Sequence, residues 1–205
     1  MVAEEEVAAG RIPAVGRRFF LVDPLDGTRE FVRGGTDYTV NVGLIEDGAP
    51  VLGVVYAPAL GRLFFGEVGR GAWLAEGTAT PGVVGEPRAI RVRAPGPTLS
   101  VVATRSHGSS ALDRYIAALP PHERVSTGSS LKYGVLAAGE ADLYPRTGPT
   151  MEWDTAAGDA VLRAAGGRTL APDGSMFRYG KPGFRNGPFV ATGPFEPPPI
   201  GPYGT

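Results

Sequence analysis

Leu21-Val22-Asp23-Pro24-Leu25-Asp26-Gly27-Thr28-Arg29-Glu30-Phe31-Val32-Arg33 is the stretch from which the rest of the chain is read. The apolar run Phe19 to Val22 has strand character and should stop at Asp23-Pro24, because proline has no N–H to give to a sheet ladder. Asp26 then has the chemistry of a helix N-cap, with Gly27 and Thr28 as the first residues of a short helix whose leading N–H groups are unpaired. Such a helix end attracts anions. Asp23 closes a strand and Asp26 opens a helix, so the two carboxylates can converge beside that end. Oxygen ligands grouped near a phosphate suit Mg²⁺, which takes carboxylates and substrate oxygens rather than an all-protein cage. Asp-Pro or Asp-Gly alone reads as an ordinary turn, whereas the six residues Asp23 to Thr28 together are far more specific.

The bulk numbers narrow the classes. At 205 residues the chain can bury a sizeable core, as one large domain or two lobes. Twenty basic and 21 acidic residues nearly cancel to a formal charge of -1, so no global field recruits nucleic acid or an acidic membrane, and any anion site is local. The absence of cysteine excludes disulfides, thiolate zinc sites and a cysteine nucleophile, and makes a reducing cytoplasm the expected setting, with peripheral association at an inner membrane left open. No apolar run approaches the length of a membrane span. The 31 glycines and 20 prolines, set between strand-like patterns, point to many tight turns.

Outward from the central stretch, Asp37 to Glu46 alternates as a strand, Asp47-Gly48 signals a hairpin, and Val51 to Tyr56 returns. Arg62 to Val68 and Ala72 to Leu74 continue an antiparallel pattern, with Trp73 expected in the core, and Ala89 to Val92 adds a short strand. Ala94-Pro95-Gly96-Pro97 reads as a boundary between lobes. Beyond it the elements alternate: a strand at Thr98 to Thr104, a helix capped by Ser106 running to Leu119, a strand at Val125 to Thr127, and a helix capped by Ser129 or Ser130 running to Ala138. His122 falls in a loop. A strand at Ala141 to Pro145, a helix from Asp154 to Ala165 and a last strand at Pro188 to Thr192 follow. This predicts lobes at 1–97 and 98–193 and a disordered Pro/Gly-rich tail at 194–205.

Met151-Glu152-Trp153-Asp154-Thr155-Ala156-Ala157-Gly158 is the second informative stretch. Read alone, Asp154 is an N-cap whose charge suits the dipole of a small-residue helix. The string Asp23-Pro24-Leu25-Asp26-Gly27-Thr28, however, resembles the metal-binding signature of the Mg²⁺-dependent, lithium-sensitive phosphatase superfamily that includes inositol monophosphatase, fructose-1,6-bisphosphatase and the bisphosphate nucleotidases. Trp153-Asp154-Thr155-Ala156-Ala157-Gly158 resembles the same superfamily's second motif, in the right order. The fold implied is α+β: a two-lobe layered α/β sandwich of the inositol monophosphatase type.

That resemblance implies roles. Asp23, Asp26 and the carbonyl of Leu25 would be metal ligands, Asp154 the shared ligand from the second lobe, and Gly27 and Thr28 the seat of the scissile phosphate. Glu4 of the acidic triplet Glu4-Glu5-Glu6 would bridge the metals, although a terminal acidic run by itself reads as a frayed, solvated end. Four such carboxylates about 4–5 Å apart repel by several kcal/mol even at an effective dielectric near 20, and two Mg²⁺ ions would neutralise them. Metals about 3.5–4 Å apart lower the pKa of a bound water and stabilise the leaving oxygen. Thr28 would orient that water.

Arg105-Ser106-His107, Gly128-Ser129-Ser130-Leu131-Lys132 and Leu143-Tyr144-Pro145-Arg146 are similar to segments with which CysQ-type 3′(2′),5′-bisphosphate nucleotidases grip substrate. Ser129, Lys132 and Arg146 would offer hydroxyl, ammonium and guanidinium groups to a second phosphate, and His107 would meet ribose or the adenine edge. The resemblance runs from Val2 to Gly193 and implies a Mg²⁺-dependent phosphatase of sulfur assimilation that takes the 3′-phosphate from adenosine 3′,5′-bisphosphate, with its sulfated precursor left open as a second substrate. An inositol monophosphatase or other sugar-phosphate phosphatase of the superfamily and an inactive truncated nucleotide-binding module are the alternatives, and self-association is left open. The family carries two helices and a hairpin ahead of the Glu-Glu pair, with a further acidic residue; this chain begins almost at that pair, so an N-terminally truncated member is expected.

Overall fold

The structure is a computed structural model that describes residues 1–77, 83, 85–103 and 110–203. Its first half builds one seven-stranded sheet in sequential order from β1 (Val2–Ala3), β2 (Arg18–Asp26), β3 (Thr39–Glu46), β4 (Ala49–Ala57), β5 (Arg62–Glu67), β6 (Gly71–Glu76) and β7 (Arg88–Ile90). All neighbours are antiparallel except β1, which lies parallel to β2 with Val2 opposite Leu21. The turn between β3 and β4 has positive φ at Asp47 (49°) and Gly48 (76°), as a two-residue hairpin requires.

Strict alternation decides which side of this sheet is covered. Along β3, Thr39, Asn41, Gly43 and Ile45 are buried while Val40, Val42 and Leu44 on the other face are only partly covered. That other face also carries Phe20, which is exposed, and the stacked pair Phe65 and Trp73. Trp73, expected in the core, therefore stands on the opposite face, because its position in β6 has the wrong parity for the interior.

The second half supplies β8 (Leu99–Ala103), β9 (His122–Ser126), β10 (Leu143–Arg146), β11 (Thr150–Met151), β12 (Arg168–Leu170), β13 (Arg185–Asn186) and β14 (Phe189–Thr192). A five-stranded mixed sheet runs β12-β14-β10-β8-β9, and β11 pairs with β13. The helices are α1 (Glu4–Ala8), α2 (Thr28–Val32), α3 (Ser110–Ala117), α4 (Leu131–Ala137) and α5 (Ala156–Ala164). Helices α4 and α5 pack on each other and lie between the two sheets, while α3 packs with the C-terminal residues in a separate apolar cluster with Leu99, Val101 and Leu143. The result is a layered sandwich in which sequence-distant halves share one main core, with Leu21, Phe64, Tyr133, Val161 and Phe189 in the same cluster.

Close packing of α5 depends on three glycines, two in the first sheet and one in the helix itself. Gly43 and Gly53 face each other across β3 and β4. A Cβ on Gly43 would come within 2.8 Å of the Ala157 nitrogen, and one on Gly53 would overlap the Ala157 carbonyl. Gly158 faces the other way, where a Cβ would meet Tyr133 at 2.6 Å. The small-residue run Ala156-Ala157-Gly158 thus lets the helix start sit at backbone distance from the first sheet on one side and against the Tyr133 side chain of α4 on the other.

Several local expectations are corrected. Strand β2 does not stop at Pro24: a register shift between Asp23 and Asp26 absorbs the proline and the strand resumes against Thr39. Gly27, at φ 89°, caps α2 rather than Asp26. Neither Ser129 nor Ser130 caps α4 through its side chain, and Asp154 closes a short 3-10 turn, Glu152–Asp154, ahead of α5. His122 begins β9 instead of lying in a loop. The tail beyond Gly193 is ordered as far as Tyr203: Ile200 is 1% exposed, the Tyr115 hydroxyl donates to the Pro198 carbonyl at 2.8 Å, and the Tyr203 ring lies edge-on to Tyr115. Proline lowers the entropy cost of fixing a segment that also has apolar anchors.

Candidate active site

Two strands and two turns carry the predicted site residues to one end of the interlayer. Pairing of β1 with β2 sets Ala3 opposite Val22, so Glu4 follows directly beside Asp23. The N-terminal acidic run is thereby docked, with Val2 fully buried, rather than frayed. Asp23 is itself 1% exposed, and its Oδ1 accepts the Leu25 N–H at 2.9 Å, which tightens the bulge around Pro24. The Thr28 hydroxyl donates to the Leu25 carbonyl at 3.1 Å. Thr28 therefore touches the predicted ligand oxygen and retains lone pairs to accept with.

Asp26 reaches across the sandwich. Its Oδ2 accepts from the Ser129 hydroxyl at 2.5 Å, the Ser130 N–H at 2.6 Å and the Ser130 hydroxyl at 2.7 Å. The Ser130 hydroxyl also lies 2.6 Å from the backbone oxygen of Asp154, and Asn41 donates to it at 3.0 Å. Asp37 accepts the Gly128 N–H at 2.7 Å, holding the turn in which Ser129 takes a positive φ of 52°. Asp154 Oδ2 accepts the Met151 N–H at 2.8 Å. The neighbouring Glu152, fully buried, takes the N–H groups of Gly180 and Lys181 and pairs with the Lys181 ammonium at 2.7 Å, bracing the turn from below.

The electrostatics of this end are one-sided. Burial first, then the charges of Asp26, Glu4 and Asp154, push the Asp23 carboxyl up to about 8. Burial likewise raises Asp154 to about 7, with Asp26 and Glu4 adding to it against the Met151 N–H. Among the described residues none of Glu4, Asp23, Asp26 and Asp154 forms an ion pair with a basic side chain. Beside them Asn41, directly across the ladder from Asp23, has a buried Oδ1 with no partner. Uncompensated carboxylates and an orphaned acceptor suit a hard cation. Among the described residues no three acidic, histidine or cysteine side chains are grouped closely enough to hold a metal ion by themselves. An open set of carboxylates that leaves positions for water and substrate oxygens is the arrangement Mg²⁺ favours.

A cavity of ≈370 Å³ opens here, and its wall includes Asp26, Gly27, Thr28, Ser129, Lys132, Arg146 and Asp154. Its cationic side is Lys132 and Arg146. Lys132 is 3% exposed; its ammonium donates to the Ser129 carbonyl at 3.0 Å and lies 5.3 Å from the Tyr144 ring centre. Burial pushes this amine down to about 8, Asp26 opposing the shift and Arg146 adding to it. Asp26, Gly27, Thr28, Ser129, Lys132, Arg146 and Asp154 of the predicted residues thus meet at one cavity, while Glu4, Asp23 and Leu25 are not part of its lining and His107 falls outside the described residues. Sequence reading missed Asn41, Asp37 and the double use of Ser130; the only hint was a buried-parity polar residue, Asn41, in an otherwise apolar strand.

The sequence profile of the inositol monophosphatase family matches residues 1–193. The chain belongs to the inositol monophosphatase family. Members of this family are metal-dependent phosphatases, generally using Mg²⁺. Among its relatives, the 3′(2′),5′-bisphosphate nucleotidase CysQ of Salmonella typhimurium is 43% identical over 191 residues, covering 90% of this chain and 74% of that protein. CysQ of Escherichia coli is 41% identical over the same span. Among solved structures, CysQ of Bacteroides thetaiotaomicron superposes with a TM-score of 0.82 at 36% identity, over 95% of this chain and 77% of its own. The inositol monophosphatase of Anabaena gives 0.69 at 27% identity, over 93% and 72%. The layered α+β fold is that of the family. No helix among the described residues is long and apolar enough to cross a membrane.

Proposed function

We propose that the protein is a Mg²⁺-dependent 3′(2′),5′-bisphosphate nucleotidase that releases the 3′-phosphate of adenosine 3′,5′-bisphosphate, leaving the 5′-monophosphate. The observation that carries the reading is a buried ammonium, Lys132, on the wall of the cavity that also holds Asp26 and Asp154. A cluster of carboxylates suits a metal-bound scissile phosphate, and a desolvated lysine beside an arginine suits a second phosphate on the same small molecule. The CysQ relatives support the same substrate class.

Glu4, Asp23, Asp26, Asp154 and the Leu25 carbonyl would hold two Mg²⁺ ions. Bound there, the metals supply Lewis acidity at the phosphoryl oxygens and a water of lowered pKa. Gly27 and Thr28 seat the scissile phosphate, and the Thr28 hydroxyl would accept a hydrogen bond from the attacking water, orienting it, while its own proton is donated to the Leu25 carbonyl. Ser129, Lys132 and Arg146 hold the 5′-phosphate and fix the nucleotide against the cavity wall. His107 is assigned to the nucleoside. A cytoplasmic setting belongs to the same reading.

The test is phosphate release from adenosine 3′,5′-bisphosphate with Mg²⁺, against a panel of inositol monophosphate, fructose 1,6-bisphosphate and adenosine 5′-phosphate. Hydrolysis of the bisphosphate nucleotide in preference to the others, lost in Asp26→Asn, is expected. Equal rates for wild type and Asp26→Asn remove the mechanism, and preference for inositol monophosphate replaces the substrate.

A further inference from the structure

We infer that Ser130, held in place by Asn41, is a positioning residue that ties the Asp26 carboxylate of the first sheet to the Asp154 turn, so that the two metal-binding acids are set at a fixed separation. This rests on the metal reading above. The hydroxyl of Ser130 has one proton and two acceptors, Asp26 Oδ2 at 2.7 Å and the Asp154 backbone oxygen at 2.6 Å. Its lone pair takes the Asn41 amide at 3.0 Å, and its own N–H reaches Asp26 Oδ2 at 2.6 Å. Residues from β2, β3, the start of α4 and the turn before α5 therefore meet on one buried oxygen.

The alternative role for such a serine, capping its helix, is absent: the Ser130 side chain makes no cap bond in α4. Ser129 is not equivalent. Its hydroxyl also bonds Asp26, but it is half-buried on the cavity wall and pairs with Thr39 at 2.6 Å, with no bond to the Asp154 turn. Ser130 is 3% exposed and Asn41 fully buried, so packing fixes both side chains, and the Ser130 hydroxyl is already engaged by Asp26, the Asp154 turn and Asn41. Asn41 sits across the ladder from Asp23, which extends the link to the third carboxylate. Removing the Ser130 hydroxyl leaves the Asn41 amide donor and the Asp154 backbone oxygen without this partner and cuts the link from Asp26 to the Asp154 turn, while the Ser129 hydroxyl and the Ser130 N–H still hold Asp26.

Loss of a group that orients metal ligands costs about 10–100-fold in metal affinity. The experiment is calorimetric Mg²⁺ titration of the full chain as wild type, Ser130→Ala, Ser130→Thr, Asn41→Ala and Asp26→Asn, with thermal melts in chelator alongside. Ser130→Ala is expected to bind Mg²⁺ about tenfold or more weakly, with Asn41→Ala between it and wild type, while Ser130→Thr, which keeps the oxygen, stays within about threefold. A purely structural serine would lower the chelator melt and leave Mg²⁺ affinity unchanged. Wild-type affinity in Ser130→Ala, or equal weakening in Ser130→Ala and Ser130→Thr, overturns the inference. Should Ser130→Ala not fold, unchanged affinity in Asn41→Ala overturns it as well. If wild type takes up no Mg²⁺, or Asp26→Asn titrates as wild type, the metal reading itself falls.

Discussion

Acidifying the metal-free protein from pH 8 to pH 5.5 should stabilise it, and Mg²⁺ should reverse the order. Asp23 and Asp154 have folded pKa values raised to about 8 and about 7, against 3.8 for a free aspartate. Between roughly pH 4 and 8 the native state therefore binds more protons than the unfolded chain, so stability is present at low pH and is lost as pH rises through the folded values. For Asp154 alone the loss between pH 5.5 and 8 is about 2 kcal/mol, and for Asp23 alone about 3 kcal/mol. The Asp154 charge contributes to the Asp23 shift, so the joint effect is less than the sum of the two. Taking about 2–3 kcal/mol, and 2–4 °C per kcal/mol for a chain of this size, the melting temperature in chelator should drop by about 5–10 °C. Saturating Mg²⁺ at 100 times its Kd adds about 2.7 kcal/mol, chiefly at pH 8, where protons do not compete for the carboxylates. Calorimetry at both pH values, with EDTA or Mg²⁺, measures this directly. Asp23→Asn should melt higher than wild type in EDTA at pH 8, with a flatter pH dependence and a smaller response to Mg²⁺. An EDTA melt that is flat or rises from pH 5.5 to 8, or an Asp23→Asn variant with the wild-type slope, refutes the reasoning.

The fold makes two further demands. Gly53→Ala drives a methyl into the Ala157 carbonyl and should cost about 3 kcal/mol or more, the upper end of overpacking because backbone rather than a side chain must yield; urea denaturation reads it. Deleting residues 194–205 removes Ile200 and the Pro198 carbonyl bonded to Tyr115, and should cost about 2–4 kcal/mol by the same assay. In the site, the Lys132 amine is pushed down to about 8, so kcat/KM for the bisphosphate should fall above that pH, and Lys132→Met should abolish both the fall and the preference over monophosphates in a pH–rate profile.

The parts of the fold that were legible in the sequence are those where one residue type has few uses. Strand parity over 39–57, the Asp47-Gly48 hairpin and the two acidic motifs follow from alternation, positive φ and a dense run of restricted residues. What was not legible depends on contacts between distant segments. Asp26 looks like a cap in sequence because a carboxylate before Gly-Thr usually is one; its actual partners lie 103 and 104 residues away. Gly43 and Gly53 read as weak points in strands until α5 is laid over them. The tail reads as disordered from its prolines, since composition records chain entropy but not the apolar seat that Tyr115 offers to Tyr203. Trp73 is misplaced when its size and apolarity are weighed above its parity in β6, which sets it on the outer face.

Asp26 is where the acidic and cationic halves of the cavity are coupled, and this makes its removal informative in a way that loss of a ligand alone is not. Its charge is the leading influence keeping the Lys132 ammonium protonated against burial, and Asp154 is not among those influences. Asp26→Asn should therefore lower the Lys132 pKa below about 8, while Asp154→Asn leaves it in place. Binding of adenosine 5′-phosphate in chelator, which involves the lysine without any metal, separates the two: its alkaline limb should move to lower pH in Asp26→Asn and stay put in Asp154→Asn. A common shift in both variants would mean that the lysine senses only the total charge of the cluster, and no shift in either would place its ammonium outside the reach of Asp26.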